Sequence, residues 1–190
     1  MFKLKGGNLV GGNSPRDRIK DDFYATPPVA TKSLLEVEEI IYPALEPACG
    51  MGHISKLLNE KKTYSSDLVD RGYGKSGVDF LNVNWKKDKF FTVITNPPFK
   101  LFQEFAEKAL EVATKKVILF GKIQALEGKK RAGFMEKSPL KTVYVFKQRI
   151  APLSNGSPVD ENGKPWSSTM CFAWYIWEIG YEGEPTIRWL

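Results

Sequence analysis

The segment Asn96-Pro97-Pro98-Phe99 closes an apolar run, Phe90 to Thr95, with a stiff polar-proline-aromatic corner. Two adjacent prolines fix two φ angles and remove two backbone donors, so neither a central strand nor a helix interior continues through them. The corner keeps the Asn96 side-chain carbonyl on rigid backbone, turns neighbouring main-chain carbonyls outward, and adds the flat ring of Phe99. A planar group carrying an NH₂ fits such a corner: two carbonyls accept its hydrogens while the ring stacks on its face.

Two other segments could do chemistry. Glu46-Pro47-Ala48-Cys49-Gly50-Met51-Gly52-His53 reads as a strand end, a glycine turn and the start of a helix. Glycines let backbone approach a ligand closely, and a helix N-terminus offers N–H groups to a carboxylate or phosphate. The segment has neither GxGxxG nor the Lys-Ser/Thr of a phosphate loop, so an ordinary tight turn is the competing reading. Asp67 follows Ser65-Ser66 where a second strand should end, and an acid there can accept two ribose hydroxyls. A surface Asp before a turn is the alternative.

These segments need elements to position them. Pro27 and Pro28 suit a first helical turn, with Val29, Ala30, Leu34 and Leu35 at helical spacing. Ile41 to Glu46 reads as a short buried strand, Gly52 to Lys62 as a helix, and Thr63 to Leu68 as the next strand. Phe90 to Thr95 is a stronger strand. Phe99 to Ala113 places Phe102, Phe105, Ala106, Ala109, Leu110 and Ala113 on one helical face, with charged residues opposite. Lys115 to Gly121 is a continuous apolar strand of the kind covered on both faces. Strands alternating with helices predict an α/β fold: a doubly wound, Rossmann-like sheet, mostly parallel, built from right-handed crossovers. Thr142 to Phe146 and Met170 to Gly180 are further strands joined only by a loop, so they should pair antiparallel at the sheet edge.

The chain has 190 residues, 42% hydrophobic and 26% charged, as expected for one globular domain. Residues 1–20, with two Gly-Gly-Asn triplets, read as a flexible arm, and 21–190 as a single domain. The apolar runs are far shorter than the roughly 20 residues of a membrane span, and the N-terminus has no apolar stretch of signal-peptide length. Cys49 and Cys171 form neither a disulfide framework nor a zinc spacing, and no metal site is expected. A cytoplasmic protein is the expectation.

The net charge of +6 is concentrated. Between Lys122 and Arg149 lie eight Lys or Arg against two Glu, while the remaining basic and acidic residues cancel. A neutral body with one basic segment suggests an anionic partner, and a solvated, solubilising loop is the other reading.

Taken together, PACGMG, SSDL, VDF and NPPF, in this order and spacing, resemble a class I S-adenosylmethionine-dependent methyltransferase of the DNA adenine amino-methyltransferase type. Upstream, DDFYATPP is similar to that family's additional cofactor motif. The resemblance covers residues 21–121 and is looser beyond. It implies S-adenosylmethionine as cofactor. Phe23, Thr26 and Pro27, with Glu46, Ala48 and Gly50, would contact its methionine part. Asp67 would bind its ribose hydroxyls and Leu68 would pack on its adenine, with Asp79 accepting from the adenine amine and Phe80 flanking the ring. Asn96 would border the cofactor and, with Pro97, hold the target amine. Pro98 would stiffen the corner, Phe99 would stack on the target base, and Phe146 would line the other face of the pocket.

An adenine amine is a poor nucleophile because its lone pair is delocalised into the ring. Two acceptors that draw its hydrogens out of plane localise that pair, so orientation and electrostatics carry the catalysis. The implied partner is nucleic acid, DNA first, with Lys129, Lys130 and Arg131 neutralising phosphates after the base has flipped out. Only residues 122–141 and 147–168 are available as substrate-facing parts, so the chain resembles compact phage or prophage methyltransferases. Methylation of RNA, methylation of a protein Gln side chain, and a non-catalytic cofactor- or nucleic-acid-binding module are the alternatives. The sequence carries no signal for the oligomeric state.

Overall fold

A computed structural model describes residues 23–86, 88–154, 156, 157, 159, 162–164 and 170–190; the arm expected over 1–20 and part of the 147–168 loop lie outside these residues. Nine strands and three helices are present among the described residues: β1 (Tyr24–Ala25), α1 (Pro28–Leu35), β2 (Ala44–Glu46), β3 (Thr63–Ser65), β4 (Phe90–Thr95), α2 (Phe102–Val112), β5 (Ala113–Lys122), α3 (Lys129–Lys137), β6 (Leu140–Val145), β7 (Leu153–Ser154), β8 (Phe172–Glu178) and β9 (Thr186–Trp189).

Seven strands form one sheet in the order β3-β2-β4-β5-β8-β6-β9. β2 pairs in parallel with β3 and β4, β4 with β5, and β6 with β9. β8 runs antiparallel to both its neighbours, β5 and β6. The expected mostly parallel α/β sheet is therefore present, with a single reversed strand near the C-terminus. β8 lies inside the sheet and not at its edge. β9, short and fully exposed, was not legible as a strand and forms the edge.

Both faces are covered, as the continuous apolar strands require. One core packs Leu45, Val93, Val117, Leu119, Tyr175 and Trp177 against α2 and Met135 of α3. The opposite core sets Ile94, Ile118, Phe120, Trp174 and Ile176 against Ala30 and Leu34 of α1. Alternate residues of each strand serve opposite cores, the period of two expected of a pleated strand. The α2 face expected from spacing is the one that is buried, with Phe102, Phe105, Ala106, Ala109 and Val112 inside.

Two expectations fail between β2 and β4. Gly52 to Lys62 forms two single 3₁₀ turns, Ser55–Leu57 and Glu60–Lys62, instead of a helix. The first turn stops at Leu58, whose backbone is extended (φ −96°, ψ 179°), and the Ser55 N–H, which has no acceptor within the turn, donates to the Glu46 carboxyl at 2.8 Å. The strand expected over Thr63 to Leu68 ends at Ser65, and the described residues among 66–89 carry no helix or named strand. Their backbone is anchored by Asp67, whose N–H donates to the Lys75 carbonyl (3.0 Å) and whose carbonyl accepts from Val78 N–H (3.0 Å). A further difference is that β7, expected as loop, pairs antiparallel with β1 and brings the segment after β6 back beside residues 24–25.

Candidate functional site

β2 sends its sequence neighbour β3 to one side and pairs with β4 on the other. This reversal of strand order opens a crevice beyond the carboxyl ends of the strands, where open α/β sheets bind ligands. The crevice holds a cavity of about 370 Å³. Its walls come from the segment before α1, the turn after β2, the loop after β3 and the corner after β4.

The β2 turn is tight because the ring of Phe23 lies against it. Gly50 has φ 55°, and a Cβ there would meet Phe23 Cε2 at 2.5 Å, so both conformation and space require glycine. Gly50 N–H donates to Asp67 Oδ2 at 2.7 Å. That bond corrects the expected anion cradle: the turn's N–H groups do not open a helix, and this one is already used. Asp67 Oδ1 accepts from Val69 N–H at 2.9 Å. The carboxylate is thus fixed by two backbone donors, and each oxygen keeps a lone pair for a further donor.

Glu46, at the end of β2, is only 2% exposed. It accepts from both the N–H and the hydroxyl of Ser55. Burial pushes its carboxyl up to about 8, against the opposing pull of the Ser55 bonds, so it is neutral for the most part at physiological pH. Cys49 also lines the cavity, and burial pushes its thiol up to about 12. A thiol held protonated is not a nucleophile, in agreement with a packing role. His53, whose basicity burial lowers, is likewise neutral and lines the same wall.

The β4 corner forms the far wall through Asn96, Pro97 and Pro98. Asn96 Nδ2 donates to the Tyr24 carbonyl at 2.7 Å. That acceptor dictates the amide's orientation and leaves Oδ1 buried without a donor. Thr95 Oγ1 donates to the Ala48 carbonyl at 3.5 Å, tying this corner to the β2 turn.

Most of the residues expected at the cofactor border this one cavity: Phe23, Thr26, Glu46, Ala48, Gly50, Asp67, Leu68, Asp79, Phe80 and Asn96. Asp79 does not end a strand. It caps a turn, accepting from Leu81 N–H (3.1 Å) and Asn82 Nδ2 (2.7 Å). Pro27 is not at the cavity; it is buried at the start of α1, where its carbonyl accepts from Ala30 N–H. Phe99 lies just outside, stacked on Tyr24 (centroids 5.8 Å apart) and tilted against Phe172 (5.6 Å). Phe146 is not among the residues lining the cavity. It meets Phe120 edge-on at 6.2 Å, and Phe120 stacks on Phe172, which packs against Phe99. Lys129 and Arg131 fall in the first turn of α3, a helix that the sequence reading missed. Lys130 belongs to the same turn by its backbone.

Arg71 was also missed. Its guanidinium sits over the Phe23 ring at 4.1 Å and borders the cavity. A single arginine in the polar loop 69–75 carried no spacing signal.

No protein-family model and no curated protein matches the sequence. Solved structures match over most of the chain. A Listeria monocytogenes protein described as a class I S-adenosylmethionine-dependent methyltransferase is 17% identical, with a TM-score of 0.58 over 90% of this chain and 67% of its own. A Pyrococcus horikoshii protein described as an RNA methyltransferase is 18% identical, with a TM-score of 0.60 over 90% of this chain and 93% of its own. The methyltransferase subunit of a type I restriction-modification system from Streptococcus thermophilus is 13% identical, with a TM-score of 0.56 over 82% of this chain; the chain spans 44% of that subunit's length. At these identities the likeness is one of architecture: the chain has the Rossmann-like α/β fold of the class I methyltransferases.

Proposed function

We propose that the chain is an S-adenosylmethionine-dependent methyltransferase acting on the exocyclic N6 amine of adenine in DNA. The observation that carries the reading is Asn96. Its amide is locked by Tyr24 while its carbonyl oxygen is buried at the cavity wall without a donor. An unpaired buried acceptor costs about 1–3 kcal/mol, and a ligand amine supplies the missing N–H. The likeness to restriction-modification methyltransferase subunits and the basic 122–149 segment favour nucleic acid over a protein Gln.

The residues present fit the cofactor. The cavity is of ordinary ligand size, and a Cβ at Gly50 would clash with its Phe23 wall. Asp67 would take the ribose hydroxyls on the lone pairs its backbone donors leave. Glu46, Gly50 and Thr26 would lie along the methionine part, with Arg71 the sole cationic side chain among the described residues lining the cavity, apart from neutral His53. Leu68, Asp79 and Phe80 would border the adenine. The cofactor supplies an electrophilic methyl group carried on a sulfonium. The chain's own part is to orient the amine. Asn96 Oδ1 and the Pro97 carbonyl would accept its two hydrogens, hold them out of the ring plane and so free the nitrogen lone pair for attack.

Asn96→Ala tests the reading because this residue faces the amine. Methyl transfer should fall by about 10²–10³, the cost of one preorganised polar group, while calorimetric affinity for S-adenosylhomocysteine stays close to that of the parent chain. Near-normal turnover would make the corner a purely structural feature.

A further inference from the structure

A second hollow, of about 110 Å³, is lined by Phe99, Phe102, Lys122, Gln124, Ala125 and Arg131. Two of its six lining residues are cationic and none is acidic. Lys122 ends β5, and its Nζ stands 4.7 Å from the centre of the Phe99 ring. Arg131 comes from the first turn of α3. Its guanidinium is held by the Glu127 carbonyl (2.7 Å from Nε) and the Gln124 carbonyl (3.3 Å from Nη2). Five N–H donors with two committed leave the group able to fork onto an anion. The floor is rigid: Phe102 is buried, and its ring lies so close over Gly121 that a Cβ there would meet Cε2 at 2.4 Å.

We propose that this hollow is a phosphodiester subsite for the strand carrying the target nucleotide, with Lys122 and Arg131 as its cations. The proposal rests on the methyltransferase reading for the identity of the strand. Its physical basis is separate. Two cations converging on an apolar floor without an acid repel each other, and a phosphate between them removes the repulsion and gains charge-assisted bonds. The position selects a phosphate of nucleic acid over a free one, because Phe99 belongs to the same Asn96-Pro97-Pro98-Phe99 corner that presents Asn96 to the cavity. The lysine's place over the ring has a further consequence. A base stacking on that face of Phe99 displaces the ammonium, and the backbone phosphate beside the base is its nearest new partner.

The test is binding of a short labelled DNA duplex, followed by anisotropy across a salt series, to the parent chain and to Lys122→Met, Lys122→Arg and Arg131→Gln. S-adenosylhomocysteine calorimetry is run on each. Lys122→Met and Arg131→Gln should each make the slope of log affinity against log salt shallower by roughly 0.9 and weaken binding severalfold at low salt. Lys122→Arg should keep the parent slope, and cofactor-product affinity should be unchanged throughout. A parent slope and parent affinity in Lys122→Met overturns the subsite. If the variants lose slope as expected but the parent binds no S-adenosylhomocysteine, the subsite stands and the methyltransferase reading falls.

Discussion

Glu46→Gln isolates the titration of the acid buried deepest in the cavity wall. Glutamine keeps the shape and a carbonyl oxygen for the Ser55 N–H and hydroxyl, but it does not ionise. In the folded chain the Glu46 carboxyl titrates near 8 against an ordinary 4.5, with burial the largest cause. Between those values the folded state holds a proton that the unfolded chain has released. Stability from this group is therefore fully present below about 4.5 and is lost as pH rises through about 8. The loss is about 1.4 kcal/mol per pH unit, so between pH 5 and pH 7.5 it amounts to roughly 3 kcal/mol. Urea denaturation of both proteins at half-unit pH steps gives the difference directly, since every other titrating group is common to both. The stability of Glu46→Gln relative to the parent should rise steadily across that interval. A difference that stays flat with pH would mean that Glu46 is ionised in the fold, and the account of its desolvation would fail.

Asp67→Ala should weaken S-adenosylhomocysteine binding by about 1–3 kcal/mol, through loss of a charged acceptor and release of the Gly50 and Val69 N–H groups; calorimetry with unchanged affinity would remove Asp67 from the site. At the other end of the sheet, Lys116 at the start of β5 pairs with Glu38, whose second oxygen accepts from Tyr144 at 3.2 Å. Lys116→Met leaves that carboxylate largely buried without its ion-pair partner, and should cost roughly 3 kcal/mol of stability without affecting ligand affinity. A cost under about 0.5 kcal/mol would class the pair with exposed ones.

The parts of the fold that could be read from sequence are those whose burial is one-sided or complete. Phe90 to Thr95 was read with the bounds the structure gives, because an uninterrupted run of β-formers ending in two prolines has one solution. α2 was legible from its apolar face. The Gly52 to Lys62 segment was misread because the chain turns extended at Leu58, a break that no local pattern announces. β1, β7 and β9 are two to four residues long and owe their form to a partner strand. α3 is basic and largely polar, so its composition suggested a solvated segment. At the site, Glu46 and Asn96 were legible through residue type beside proline, and Asp67 as an acid at the end of the second strand. Arg71 and Lys122 were not, because each is placed over an aromatic ring distant in sequence, Phe23 and Phe99.

The most direct test is transfer of a labelled methyl group from S-adenosylmethionine to DNA, RNA and protein offered in parallel, with the modified acceptor identified by nucleoside and amino-acid mass analysis. The proposed function predicts label in DNA as N6-methyladenine, abolished in Asn96→Ala. Label appearing in RNA or in Gln instead, or no transfer to any acceptor by a chain that binds the cofactor, would contradict it.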